Sequence, residues 1–190
     1  RYVLPSEMPS TFDAEALKAQ AVCARTFVYS QMKNTQYALY GANIDNTTAF
    51  QVYNASETKQ STDEAVKATA GQVVSCGGNL ITCYYFSTSA GKTEDMEVWS
   101  SSTPDFIHKV ESVDDNSPYY RWTSELDLSA YNDPQYGTAT GISVDKTSDA
   151  GYVLSLTINY GNKSQTFTAE NDIRKALGHY QKKVTLNDGS

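Results

Sequence analysis

Histidine occurs twice, tryptophan twice and cysteine three times in 190 residues, and the histidine and cysteine shortages each narrow the possible chemistry. His108 and His179 lie far apart, and nothing like Gly-x-Ser-x-Gly accompanies them, so a serine-hydrolase triad has no support. The odd cysteine count permits at most one internal disulfide. Cys23 sits among alanines and reads as a small core residue. Cys76 and Cys83 flank the turn Gly77-Gly78-Asn79. A two-residue loop at Gly78-Asn79 would pair Cys76 with Ile81 and Val74 with Cys83, leaving the two thiols on a diagonal that suits a bridge poorly. Cysteine use therefore leaves the compartment open. Positive charge is also short: 15 Lys and Arg against 22 Asp and Glu give a net charge of -7. Nucleic acid is not an expected partner, because phosphate binding needs a concentrated basic patch. No apolar run approaches membrane-spanning length. With neither signal peptide nor initiator Met, a chain starting at Arg1 is expected to derive from a longer one, whose N-terminal part would carry any export signal or membrane anchor.

What is present suits a soluble globular protein, with 39% hydrophobic and 19% charged residues in a length that makes one domain, or one with a small subdomain. Between Asp13 and about Met32 there is neither Gly nor Pro, and Ala, Leu, Lys, Gln and Arg dominate, which predicts a long helix. Leu17, Ala21, Ala24 and Val28 make a narrow apolar stripe at helical spacing. Ser10, Thr11 or Asp13 can cap its start, and Asp13 and Glu15 suit the positive end of its dipole. Lys18 and Arg25 share one face, two turns apart, where they could hold a carboxylate or an anionic substrate. Ahead of the helix, Pro5 and Pro9 bias Leu4 and Met8 toward extended backbone, so Glu7 lies on a short constrained segment.

Residues 34–54 read as an irregular polar excursion with short strands. Ser61-Thr62-Asp63-Glu64 has the form of a capping box opening a short helix that closes at Gly71. Two strands, 72–76 and 80–86, follow, and the second delivers Tyr84-Tyr85-Phe86 into Ser87-Thr88-Ser89-Ala90-Gly91-Lys92-Thr93. The last four residues imitate the end of a phosphate-binding loop, but Phe86 stands where that motif needs its first glycine, so nucleotide binding is not expected. By itself the segment is a Ser/Thr-rich turn. Trp99 and Trp122 read as core aromatics ahead of sugar-stacking platforms. Residues 125–140 read as a loop. Strands at 142–146, 152–160 and 164–168 alternate as an antiparallel meander. Thr168 would cap a helix over 169–177 stopped by Gly178, and 184–186 would add a last strand.

The run Glu7-Met8-Pro9, then Ala16-Leu17-Lys18-Ala19-Gln20-Ala21-Val22 and Ala24-Arg25-Thr26, resembles the opening motif of the stage II sporulation protein D and amidase-enhancer (LytB) family. The resemblance continues through Phe86-Ser87-x-Ser89-x-Gly91-x-Thr93, where Ala90-Gly91 replaces two adjacent glycines, through Trp99, the aromatic-aliphatic stretch 106–110 with Lys109, and Asp114, and reaches Ile173-Arg174-Lys175-Ala176-Leu177-Gly178. It implies an α+β fold, a long N-terminal helix on a mixed or antiparallel sheet, with a more β-rich C-terminal half. The single expected domain, 1–190, divides into a catalytic core, 1–122, and a β-rich subdomain, 123–190.

For function, the resemblance implies a peptidoglycan lytic transglycosylase whose catalytic acid is Glu7. Lys18, Gln20, Arg25, Tyr85, Ser87, Thr88, Ser89, Gly91, Lys92, Thr93 and Lys109 are then the substrate-binding candidates. The Ser/Thr loop would line the glycan cleft beside the acid. A metal-type Cys/His pair often precedes Gln-Val-Tyr in the family, whereas Ala49 and Phe50 precede Gln51-Val52-Tyr53 here. No zinc, other metal or cofactor is therefore expected. Glycan strands are the implied partner, in an extracytoplasmic or forespore-engulfment setting. The amidase-enhancer branch implies a different class, a module that binds glycan and stimulates a partner cell-wall amidase without cutting. A wall-associated domain without activity is the third reading.

Overall fold

The computed structural model describes residues 1–47, 50–55, 58–98, 103–123 and 125–178, which combine helices with antiparallel sheet in an α+β fold. Trp99, His179 and the strand expected at 184–186 lie outside the described residues. The chain forms two compact units, Arg1–Tyr85 and Phe86–Ser190.

In the first unit, α1 (Leu4–Glu7) precedes α2 (Ala14–Ser30), and α3 (Gln60–Ala68) packs against α2. Asp13 caps α2 by accepting the Glu15 N–H at 2.8 Å. The buried face of α2 carries Leu17, Ala21 and Ala24, but Val28 is exposed, and Gln20 and Thr26 are buried in its stead. Leu17 and Ala21 close on Leu4 and Ala65 to make this unit's core. Thr26 is wholly buried because its hydroxyl is used twice, donating to the Val22 carbonyl at 2.7 Å and accepting the Val74 N–H at 2.9 Å. The helix thus reaches the following hairpin through a side-chain hydrogen bond, and its main packing partner is another helix rather than the expected sheet.

Several local expectations are corrected. Leu4 is helical, since Pro5 is tolerated in the first turn of α1, whereas Met8 before Pro9 is extended. The capping box at Ser61 does not form: α3 starts earlier, after an extended Lys59, so the Ser61 hydroxyl donates to the Ser10 carbonyl at 2.7 Å. Gly71 does take a positive φ of 76° beyond the helix end. The hairpin shrinks to β1 (Ser75–Cys76) and β2 (Asn79–Leu80), with Cys76 opposite Asn79. Its two-residue turn is Gly77-Gly78, at φ 56° and 80°, because two successive positive-φ positions favour the glycine pair over Gly78-Asn79. Between α2 and α3 the described residues contain a 3-10 turn, Ala38–Tyr40, and no strand.

In the second unit, β3 (Gly141–Thr147), β4 (Val153–Tyr160) and β5 (Lys163–Phe167) form the expected meander. Alternation along β4 buries Leu156, Ile158 and Tyr160 against Tyr131, Ala139 and Ile173, the last from α4 (Glu170–Ala176). Ala169 rather than Thr168 stands at the start of α4. The register slips between Val144 and Lys146, and the intervening Asp145 accepts hydroxyls from Ser143, Ser155 and Thr157. Those donors hold its carboxyl below the usual range, Thr157 most of all. Residues 106–110 form no strand, and Trp122 is 70% exposed rather than core.

Replacing Thr26 with Val keeps the volume but leaves the half-buried Val74 N–H without its acceptor, which is expected to cost about 1 kcal/mol. Urea denaturation followed by far-UV circular dichroism measures it; an unchanged midpoint would remove Thr26 from the tether.

Candidate active site

Glu7 is the last residue of α1, where Leu4 buries the other end of the turn at 2% exposure. Its half-buried carboxylate accepts the Val52 N–H at Oε1, 2.5 Å away. The neighbouring Ser6 hydroxyl accepts the Asn54 N–H at 3.1 Å, and the rings of Tyr2 and Tyr53 meet edge-on with centroids 5.7 Å apart. These three contacts lay the 52–54 segment along α1. Gln51, 2% exposed, donates from Nε2 to the Ala24 carbonyl of α2 at 3.3 Å.

Tyr85 completes the group. Its phenol lies close enough to the Glu7 carboxylate and the Gln51 side chain for both to act on its titration. Burial of the phenol, then the Glu7 charge, push the Tyr85 pKa up to about 12 despite the opposing influence of Gln51. The phenol therefore stays protonated, and a donor, throughout the neutral range. A backbone N–H and a phenol from distant points in the chain are brought to one carboxylate, the N–H as its hydrogen-bond donor and the phenol as a neighbour. A cavity of 390 Å³ opens beside Gln51, walled by Val3, Ile44, Asp45, Asn46 and Tyr53.

The helix candidates separate from one another. Lys18 pairs with Glu15 on the same helix at 2.6 Å. Arg25 donates to three neutral acceptors, the carbonyls of Gln72 (2.9 Å) and Val66 (3.3 Å) and the Thr69 hydroxyl (3.3 Å), and so closes the C-terminal end of α3. Gln20 is buried at 5% exposure.

In the second unit, Asp114 organises the Ser/Thr loop. It accepts the Ser89 N–H and hydroxyl at 2.8 and 2.5 Å and the Ser112 hydroxyl at 2.9 Å, and these bonds, Ser89's first, keep its carboxyl below the ordinary range. Thr88 bonds Ser117 at 2.7 Å, and Thr93 accepts the Val110 N–H at 2.9 Å. Gly91 has a φ of 102°, a backbone conformation that favours glycine, and a Cβ there would stand 3.2 Å from the Tyr120 hydroxyl, which would have to give by a few tenths of an ångström. Ser87 and Lys92 are the exposed polar side chains of this loop. Lys109 bonds Glu94 at 3.1 Å, with Asp95 at 3.7 Å; its pKa is raised, chiefly by the Glu94 bond. Gln51 and the Val52 N–H were not among the sequence-derived candidates. Only the Gln-Val-Tyr motif could have signalled them, and nothing in its pattern says which of its atoms reach Glu7.

Because burial is the first cause of the raised Tyr85 value and the Glu7 charge the second, Glu7→Gln is expected to lower that pKa from about 12 without returning it fully to 10. In the wild type, the folded phenol holds its proton where the unfolded one has lost it, so this contribution to stability fades as pH rises from about 10 to about 12. Carbon-13 NMR of labelled tyrosine rings, assigned with Tyr85→Phe, measures both; an identical titration in Glu7→Gln would disconnect the two side chains.

Residues 1–75 match the family model described as stage II sporulation protein. The chain is 44% identical over 125 residues to the amidase enhancer of Bacillus subtilis (strain 168), covering 65% of this chain and 16% of that protein. It is 32% identical over 196 residues to stage II sporulation protein D of the same strain, covering 93% of this chain and 55% of that one. Stage II sporulation protein D of Bacillus amyloliquefaciens is 29% identical, again with 93% and 55% covered. The chain thus spans about half the length of the stage II sporulation proteins D and a smaller share of the amidase enhancer. With the matched segment containing Glu7, Lys18, Arg25 and Gln51, the chain belongs to the stage II sporulation protein D and amidase-enhancer family.

Proposed function

We propose that this protein acts on the bacterial cell wall as a peptidoglycan lytic transglycosylase, outside the cytoplasm, in wall remodelling or sporulation. The observation that carries the reading is the half-buried Glu7 carboxylate held by the Val52 N–H, with the Tyr85 phenol beside it. Protonated Glu7 donates to the glycosidic oxygen between N-acetylmuramic acid and N-acetylglucosamine. The bond from C1 of the muramic acid to that oxygen breaks, and N-acetylglucosamine leaves with a free 4-hydroxyl. The acetamido oxygen of the muramic acid relieves the positive charge at C1, and the sugar's own 6-hydroxyl then replaces it, closing a 1,6-anhydro ring. The proton lost by that hydroxyl returns to Glu7, so one carboxyl group serves as acid and base and no water is consumed.

The Val52 N–H has a definite task in this scheme. It stabilises the negative charge that grows on Glu7 as its proton departs, and it already points at the carboxylate before reaction; the neighbouring Tyr85 phenol adds a polar group beside it. The cavity beside Gln51, with the Tyr53 ring in its wall, offers an apolar surface to a sugar, and Lys18 lies on the same unit for anionic groups of the strand. In the second unit, exposed Ser87 and Lys92 are the loop members we assign to glycan contact; Ser89, Thr88 and Thr93 act by shaping the loop.

The 44% identity to a protein named amidase enhancer favours a second reading, in which the same face binds glycan and stimulates a partner amidase. Mass spectrometry of purified glycan strands, with and without stem peptides, decides between them. Wild type is expected to generate anhydromuramyl ends, and Glu7→Gln to lose at least about a hundredfold of that activity, the scale of general acid catalysis. Strand binding with no anhydro product on either substrate would move the assignment to the enhancer module.

A further inference from the structure

We propose that the cavity beside Gln51 is a subsite for an N-acetyl arm of the glycan strand, with the Gln51 side-chain oxygen as the acceptor for its amide N–H. The inference rests on the proposed action on glycan and names the chemistry by which that strand is read. Gln51 is only 2% exposed, yet its buried Oε1 has no hydrogen-bond partner among the described residues. The Ala24 carbonyl can only accept, so the bond to it at 3.3 Å fixes Nε2 toward α2 and leaves Oε1 as the end without a donor. A buried acceptor left without a donor weakens a fold, and a ligand N–H that reaches it recovers the loss. Gln51 lines the 390 Å³ cavity, a volume in the range of small-molecule sites.

The other walls decide which donor suits that oxygen. Val3, Ile44 and Tyr53 make the lining mostly apolar. The carboxylate of Asp45, also in the wall, is already engaged: Oδ2 accepts the Tyr37 hydroxyl at 2.6 Å, and Oδ1 accepts the Thr47 N–H and hydroxyl at 2.8 and 2.7 Å. An ammonium or a sugar hydroxyl would give up its water against such walls with little return, whereas an acetamido group matches them, with an N–H for Oε1 and a methyl for the apolar side chains. Asn46, the remaining wall residue, is exposed and carries an amide N–H for the acetyl carbonyl. The next residue along from Gln51 is Val52, whose N–H holds Glu7, so the subsite and the acid share one stretch of chain.

The test titrates the full chain with two uncharged sugars in a calorimeter. The first is the β-1,4-linked tetramer of N-acetylglucosamine, which contains no muramic acid and so reports binding without the proposed cleavage. The second is the same tetramer with 2-O-acetyl esters, which keep the carbonyl and methyl but put oxygen in place of each N–H. The amide tetramer is expected to bind and the ester to bind at least about tenfold more weakly, because only the amide satisfies Gln51. Ile44→Trp, which fills the cavity from a half-buried loop position away from the Gln51–Ala24 bond, is expected to weaken the amide tetramer by a similar factor. Equal binding of ester and amide would overturn the acceptor role of Gln51, and undiminished binding to Ile44→Trp would overturn the cavity as the subsite. An alanyl peptide also sets a methyl beside an N–H, and its binding in place of the tetramer would overturn the acetamido assignment. Anhydromuramyl products alongside equal ester binding would remove the subsite and leave the cleavage reading, whereas amide-selective binding without such products would do the reverse.

Discussion

The first unit depends on a close approach that only a thin helix face permits. Leu17 supplies the large buried apolar group of this helix face, and Ala21 and Ala24 leave the neighbouring backbone within reach of short side chains. That nearness makes the polar tethers possible. Gln51 reaches the Ala24 carbonyl, and Thr26 reaches Val74 with a hydroxyl that extends one bond from Cβ. Larger residues on this face would push those partners apart, and the segments presenting Val52 and Tyr85 to Glu7 would lose their common reference.

Legibility in the sequence followed the range of the interaction. The long helix, the β3 to β5 meander and α4 rest on periodicity and neighbouring residues and were readable, while the cap of α2 was narrowed to Ser10, Thr11 or Asp13, of which Asp13 serves. The failed capping box is instructive: Ser61 and Glu64 have the right spacing, but the Ser10 carbonyl, distant in sequence, takes the hydroxyl. The Gly77-Gly78 turn was missed by one residue, because the sequence pattern does not distinguish which two of three turn formers occupy the left-handed positions. Burial of Thr26 and Gln51 was not legible, since each satisfies a backbone group on another element. Glu7 was singled out as a candidate by resemblance and not by pattern; a lone Glu before Met-Pro has no periodic signature.

The Ser/Thr loop illustrates how composition misleads about chemistry. A run of hydroxyls suggests a surface for sugars, yet Asp114 and Ser117 engage Ser89 and Thr88 and turn them into structural ties. Gly91 belongs to the same construction, because the chain must pass close to Tyr120. The proposed function accordingly assigns glycan contact to the side chains that the ties leave outward, while the hydroxyl run sets the loop's shape.

Arg25 grips carbonyls and a hydroxyl instead of an anion. A charge held by dipoles has no carboxylate partner for dissolved cations to compete for, so screening weakens it less than it weakens a surface ion pair such as Lys18 with Glu15. The joint between α2 and α3 is accordingly built to hold its strength when the ionic composition around the protein shifts, and that constancy extends to the helix on which Gln51 is anchored.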